Sequence, residues 1–134
     1  MRLPGEPASV PRARHLVREF LARGEYDPAD HPGVFLSVSE ACTNAVVHAY
    51  PDGGGEMDLG ARIEGSRLCI TVRDFGVGPT TPTRRPGQGY GMLLIKAHAV
   101  DLDVRACDPG TEVTMTFELL AGEAADSPAT ASRR

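Results

Sequence analysis

The chain has no apolar run long enough to cross a bilayer, no closely spaced cysteines and no excess of basic charge. Each absence excludes a class of protein. A membrane helix needs ~20 consecutive apolar residues, so a spanning protein is not expected. The opening stretch MRLPGEPASVPRAR places no apolar core after its charges. It does not read as a secretion signal, and a cytoplasmic location is expected. Only three cysteines occur, Cys42, Cys69 and Cys107, scattered and odd in number. That pattern fits neither a disulfide framework nor a zinc site, which needs closely spaced Cys or His ligands. The three read as small hydrophobes. A net charge of -4 leaves no electrostatic footprint for direct nucleic-acid binding.

What is present is an ordinary globular composition, 41% hydrophobic and 24% charged over 134 residues, the size of a single domain. Residues 1–120 are expected to form that domain. Residues 121–134 are small and polar and are expected to be a disordered tail. The first nine residues read as a short leader with at most one edge strand. A helix is expected from near Pro11 to Gly24, since proline suits a first helical turn and glycine a stop. Ala13, Leu16, Val17, Phe20 and Leu21 share its apolar face. A turn or helix start at Asp27-Pro28 precedes a second helix from about Pro32 to Ala49, which Pro51 and the glycine run 53–55 terminate.

Two strands, Met57–Ile63 and Leu68–Asp74, form a hairpin, and a turn-rich stretch from Phe75 to Gln88 follows. A third helix spans Tyr90–Ala99. Strands Asp101–Cys107 and Glu112–Leu120 flank a turn at Asp108-Pro109-Gly110. The order predicts an α+β fold: a two-layer sandwich of helices on one mixed, mainly antiparallel sheet, with the other sheet face open or used for contacts.

Three places carry chemistry. In the second helix, LSVSEACTNAVVHAY, a step of ~100° per residue gathers Val34, Val38, Cys42, Ala45 and Ala49 on the arc expected to face the sheet. Ser37, Glu40, Asn44 and His48 form a stripe beside it. A carboxylate can accept a proton, and an amide oxygen suits Mg²⁺. Taken alone, the stripe equally describes the polar edge of an amphipathic helix. Cys42 and His48 point to different sides and do not form a nucleophile pair.

The second place is Asp74-Phe75-Gly76-Val77-Gly78, where a strand ends in a carboxylate followed by two glycines. Such an aspartate can accept a hydrogen bond from an exocyclic amine, and glycine permits close backbone approach. A tight turn with a capping aspartate has the same pattern. The DFG of eukaryotic-type protein kinases is excluded, because neither an HRD loop nor a VAIK-like lysine accompanies it. The third place is Gly87-Gln88-Gly89-Tyr90-Gly91-Met92, glycines at alternate positions running into an apolar helix. Helix-start amides form an anion site. Met92 occupies the last glycine position of a Rossmann pattern, and no glycine–lysine–serine or –threonine step of a Walker A loop occurs. A flexible loop with a helix cap remains an equal reading of this segment alone.

In combination and in this order, the motifs resemble the histidine-kinase-like ATPase (Bergerat) fold shared by gyrase, a heat-shock chaperone, histidine kinases and a mismatch-repair protein. Within that superfamily the chain is most similar to the small anti-sigma-factor kinases. The resemblance rests on the run Ser39–Tyr50, on Asp74, Gly76 and Gly78, on Gly87, Gly89, Gly91, Leu94 and Ile95, and on Pro109-Gly110-Thr111. It covers roughly residues 8–120. Four departures accompany it. Tyr90 stands where leucine is usual, the closing turn has one glycine, Pro32-Gly33 interrupts the second helix, and the leading strand is short or absent, which bears on dimer formation.

The resemblance implies ATP and Mg²⁺ as cofactors. Glu40 would be the catalytic base, and Asn44 would hold the metal. Asp74, assisted by Thr111, would recognise adenine in a pocket shaped by Gly76 and Gly78. Gly87, Gly89 and Gly91 would wrap the phosphates, with His48, Tyr90 and Met92 completing the nucleotide-binding set. Phe75–Gln88 would form a lid in which Arg84 or Arg85 could reach the γ-phosphate, although a solvated arginine pair is the plainer reading of those two. The implied function is an ATP-dependent serine/threonine kinase that phosphorylates an anti-anti-sigma (STAS-type) partner and sequesters a sigma factor, with a homodimer allowed. The alternative is an ATP-binding regulatory module without phosphotransfer. A histidine-kinase ATP domain acting in trans ranks lower, since no dimerisation helix with an acceptor histidine is present. A metal-dependent hydrolase using His48 and Asp74 lacks ligand spacing.

Overall fold

The computed structural model describes residues 1–50, 54–76 and 88–120, the side chains of residues 88–90 excepted. A strand β1 (Arg2–Pro4) opens the chain and leads into helix α1 (Ser9–Arg23), which begins two residues before the expected proline. Ser9 Oγ donates to the Pro4 carbonyl at 2.6 Å and fixes that entry. Ala13, Val17 and Leu21, spaced by four, are almost wholly buried, and Leu16 and Phe20 are partly so. The helix stops at Gly24 as expected, but the left-handed residue is Glu25, at φ 68°.

Asp27 then caps a short 3₁₀ turn (Pro28–Asp30), its Oδ1 accepting from Ala29 N at 2.9 Å. His31 ties this turn to the far end of the sheet. Its Nε2 accepts from Leu120 N at 2.9 Å, and its Nδ1 lies 3.1 Å from the Asp27 carbonyl. Bonding at both nitrogens identifies the neutral imidazole that donates from Nδ1.

Helix α2 (Pro32–Asn44) starts with Pro32 in its first turn, so the proline initiates the helix. Its last turn, Ala45–Ala49, is a π turn, a local widening that spacing at 3.6 residues per turn does not anticipate. Of the expected sheet-facing arc, Val34, Val38, Cys42 and Ala45 are buried, while Ala49, on the π turn, is only partly so.

Strands β2 (Glu56–Glu64) and β3 (Arg67–Asp74) form the hairpin, helix α3 (Gln88–His98) follows, and β4 (Asp101–Ala106) and β5 (Thr111–Glu118) close the chain. The sheet runs β1-β2-β3-β5-β4. The two-layer α+β sandwich is as expected. All four described pairings are antiparallel, so the sheet holds no parallel pair among the described residues. Alternation puts Leu59, Val72 and Val113 on the helix side of adjacent strands in one cross-strand row, and Leu68, Ile70, Met115 and Phe117 on the same face. The other face carries charge in register: Arg2, Asp58, Arg73, Glu112 and Arg105 fall in one row across all five strands. Arg2 is ion-paired to Asp58 at 2.6 Å, and Arg105 to Glu112.

The helices lie side by side. Arg14 donates to Ser39 Oγ at 2.9 Å, and the Arg18 guanidinium sits 4.6 Å over the Phe35 ring, which binds α1 to α2. Helices α2 and α3 meet at glycines. A Cβ on Gly33 would lie 2.5 Å from His98 Nδ1, and a Cβ on Gly91 would lie 2.5 Å from Glu40 Oε2. Those two pairs set the helices antiparallel, with no room for a Cβ at either glycine. They also give Gly33 a packing role that explains its place early in α2.

The closing turn contains a cis Asp108–Pro109 peptide, and Cys107 N donates to the Gly110 carbonyl at 2.7 Å. Gly110 has φ +97°, and a Cβ there would overlap the Asp74 carbonyl oxygen. Both facts require glycine. Gly110→Ala is expected to cost at least about 1–3 kcal/mol, read as a lowered denaturant midpoint. An unchanged midpoint would contradict this placement of the turn.

Candidate functional site

The end of β3 delivers Asp74 to the helix-side face of the sheet, where only 8% of the residue is exposed. Its Oδ1 accepts two backbone bonds, from Gly76 N at 3.1 Å and Thr111 N at 3.2 Å. Thr111 is its register partner on β5. Thr111 thus acts on Asp74 through its backbone N–H, a role that its hydroxyl does not suggest from sequence. Both described bonds fall on Oδ1, so among the described residues Oδ2 remains as an acceptor. Burial pushes the Asp74 pKa up, the two backbone bonds and nearby Arg73 opposing it more weakly.

Gly76 presses against the end of the second helix. A Cβ on it would lie 2.7–2.9 Å from the Cβ, carbonyl oxygen and Cα of Ala49. That contact joins the aspartate motif to the helix motif. Tyr50, whose part the sequence did not reveal, secures the same junction. Its hydroxyl accepts from Phe75 N at 2.7 Å and donates to the Glu56 carbonyl at 2.6 Å. Its ring fills the space that side chains on Gly5 and Gly55 would occupy. Its sequence signal was its place at the end of the Ser39–Tyr50 run, which gives no hint of these contacts.

The glycine motif reaches the same place from the other side. Gly91, in the first turn of α3, contacts Glu40. Glu40 and Asn44 are both half-buried, and a spacing of four residues puts them on the side of α2 that faces α3. The expected polar stripe is not uniform. Ser37 is fully buried on the α3 side of the helix, with no hydrogen-bond partner for its hydroxyl among the described residues. His48 lies on the π turn and is exposed. Met92 is partly buried and packs against the core.

Of the expected site, Glu40, Asn44, Asp74, Gly76, Gly91 and Thr111 are therefore brought to one end of the sandwich, between α2, α3 and the β3–β5 ends. Gly78, Gly87, Arg84, Arg85 and most of the expected lid lie outside the described residues, as does the expected tail. Gly89 and Tyr90 fall in the first turn of α3. Among the described residues no helix is long and apolar enough to cross a membrane, and no group of three or more His, Cys, Asp or Glu is gathered to hold a metal. Cys42 is buried and its thiol is pushed up to about 12 by desolvation, which makes it inert.

Residues 3–117 match the family described as the histidine kinase-like ATPase domain, and the chain belongs to that family. It is similar to the serine-protein kinase RsbW of Bacillus velezensis, at 32% identity covering 94% of this chain and 88% of that protein. It is also similar to the RsbW of Bacillus subtilis, at 31% identity covering 97% and 90%. A shorter match to the anti-sigma F factor of Clostridium acetobutylicum has 41% identity over 49% of this chain and 46% of that protein. Among solved structures, the RsbU and RsbW domains of Rv1364c from Mycobacterium tuberculosis share the fold, with a TM-score of 0.68 at 22% identity. That match covers 91% of this chain and 33% of the solved one.

The raised pKa of Asp74 has a stability consequence. A carboxyl raised by folding contributes stability that is full below its unfolded pKa and is lost as pH rises through its folded value. At neutral pH the ionised group therefore burdens the fold. Asp74→Asn keeps a neutral Oδ1 acceptor for both backbone bonds and removes the charge. In thermal melts it is expected to melt no lower than the parent at pH 7.5, with any gap closing toward pH 4. A markedly lower melting temperature at pH 7.5 would contradict the assignment.

Proposed function

We propose that this chain is an ATP-binding anti-sigma regulatory factor with protein-serine/threonine kinase activity, which phosphorylates an anti-anti-sigma (STAS-type) protein, sequesters a sigma factor and acts in the cytoplasm. One observation carries the reading: a carboxylate on α2 rests against the glycine-bearing start of α3, at the same end of the sandwich as a carboxylate anchored by two backbone N–H groups. Membership of an ATPase family and similarity to proteins named serine-protein kinase support it.

The residues present fit a nucleoside triphosphate. Asp74 has one oxygen committed to the backbone and one to offer, which suits the exocyclic amine of adenine and rejects the carbonyl of guanine. Asparagine held the same way would turn an NH₂ group outward, a donor facing a donor. Gly76 would admit the base close to the backbone, and by the resemblance Gly78 would share that task. By the resemblance, Gly87 and Gly89 would leave room for phosphates beside the helix-start amides of α3. Tyr90, within that glycine stretch, and His48, on the last turn of the second helix, would complete the nucleotide-binding set. Glu40 and Asn44 are hard oxygen donors one turn apart, and Asn44 would hold Mg²⁺, which when bound neutralises phosphate charge. Glu40 would accept the proton from the partner's serine or threonine hydroxyl as its oxygen bonds to the γ-phosphorus and the bond to the ADP oxygen breaks. The partner protein supplies that hydroxyl. A homodimer is part of the reading.

The test is transfer of γ-labelled phosphate from Mg-ATP to candidate anti-anti-sigma proteins. Label is expected on a serine or threonine of one of them. Glu40→Gln should reduce transfer by about 10²–10⁴-fold, the usual worth of a positioned base, with ATP affinity kept. ATP binding without transfer to any candidate would instead make the chain a binding module. No binding at millimolar ATP would remove both readings.

A further inference from the structure

We propose that Gly91 is a positioning residue for Glu40: its missing side chain leaves the space in which the Glu40 carboxylate is set. This rests on the kinase reading, and it gives Gly91 a different task from making room for phosphate. A Cβ at Gly91 would stand 2.5 Å from Glu40 Oε2 and 2.9 Å from both Cδ and Cγ, closer than side chains approach one another. The carboxylate therefore lies where an alanine methyl would be.

The backbone offers no other reason for glycine here. Gly91 is inside α3 and is not among the glycines with positive φ, which are Gly54, Gly65 and Gly110. Alanine is favoured over glycine within a helix by up to ~1 kcal/mol, so local propensity alone opposes this residue. The obstacle also differs in kind from that at Gly76. There an added methyl meets the carbonyl oxygen and Cα of Ala49, which are fixed by the fold. At Gly91 it meets the far end of a side chain that can rotate away. A substitution at Gly91 is thus absorbed by Glu40 and leaves the sandwich intact. Among the described residues no hydrogen bond or ion pair anchors the Glu40 carboxylate, so its packing on α3 is what places it.

The test compares Gly91→Ala, Glu40→Asp, Glu40→Gln and the pairings of the first with the other two, in the full chain. Gly91→Ala should lower kcat for phosphotransfer at least tenfold. KM for ATP and the melting temperature should stay near parental values. Aspartate is one methylene shorter and removes the closest contact, that of Oε2, so Gly91→Ala with Glu40→Asp should transfer several-fold faster than Gly91→Ala alone. In the Glu40→Gln background, Gly91→Ala should cause no further loss. Carbon-13 NMR of the Glu40 carboxyl reads the displacement without nucleotide, and its resonance should move in Gly91→Ala. An unmoved resonance, or a loss of ATP affinity that Glu40→Asp does not relieve, would overturn the proposal and return Gly91 to phosphate binding. Full transfer by Glu40→Gln would instead strike the kinase mechanism itself, whatever the resonance does.

Discussion

The site hangs on one buried carboxylate. Asp74 takes backbone N–H groups from the segment that follows it and from the strand beside it, both on a single oxygen. Those bonds stitch the β3 end to the closing turn before β5. They offset part of the desolvation cost of a largely buried charge, and burial still raises the pKa. A stability-optimised fold would place a neutral group here. Under the proposed function, keeping a carboxylate here is a functional demand carried at some cost to the fold.

Around that residue, missing side chains set the geometry. The turn at Gly110 sits so close that any Cβ would overlap the Asp74 carbonyl, and Gly76 lies flat against Ala49. Tyr50 then bridges Phe75 and the first residue of β2 through its hydroxyl. The sheet layer and the helix layer are joined at the place where the chemistry is proposed. Helix α2 is shared between two duties. Val34, Val38 and Cys42 are buried on its apolar side, while Gly33 and Glu40 meet α3. The Ser37 hydroxyl, without a hydrogen-bond partner among the described residues, is a local cost of ~1–3 kcal/mol for an unsatisfied buried group.

Much of this was legible in the residues. Local periodicity marked the buried arcs of α1 and α2, because a helix that covers a sheet must be apolar at intervals of three and four. The two hairpins followed from alternation and turn residues, and the resemblance of the combined motifs pointed to the family. The roles that depend on contacts between distant segments were not legible. Gly91 reads as a phosphate-side glycine, yet its contact with Glu40 follows from the antiparallel setting of α2 on α3. The tie from Thr111 to Asp74 runs through a backbone N–H, which carries no side-chain signal. The π turn at Ala45–Ala49 breaks the regular spacing that placed His48 in line with Asn44. The short β1 is visible only through its pairing with β2.

The central claim is that segments far apart in the chain form one binding site. Backbone amide shifts followed by NMR during a single Mg-ATP titration test it most directly. Resonances of residues 40–49, 74–76, 88–91 and 111 should move together and fit one dissociation constant. Shifts confined to one of these segments, or separate constants for different ones, would contradict the account.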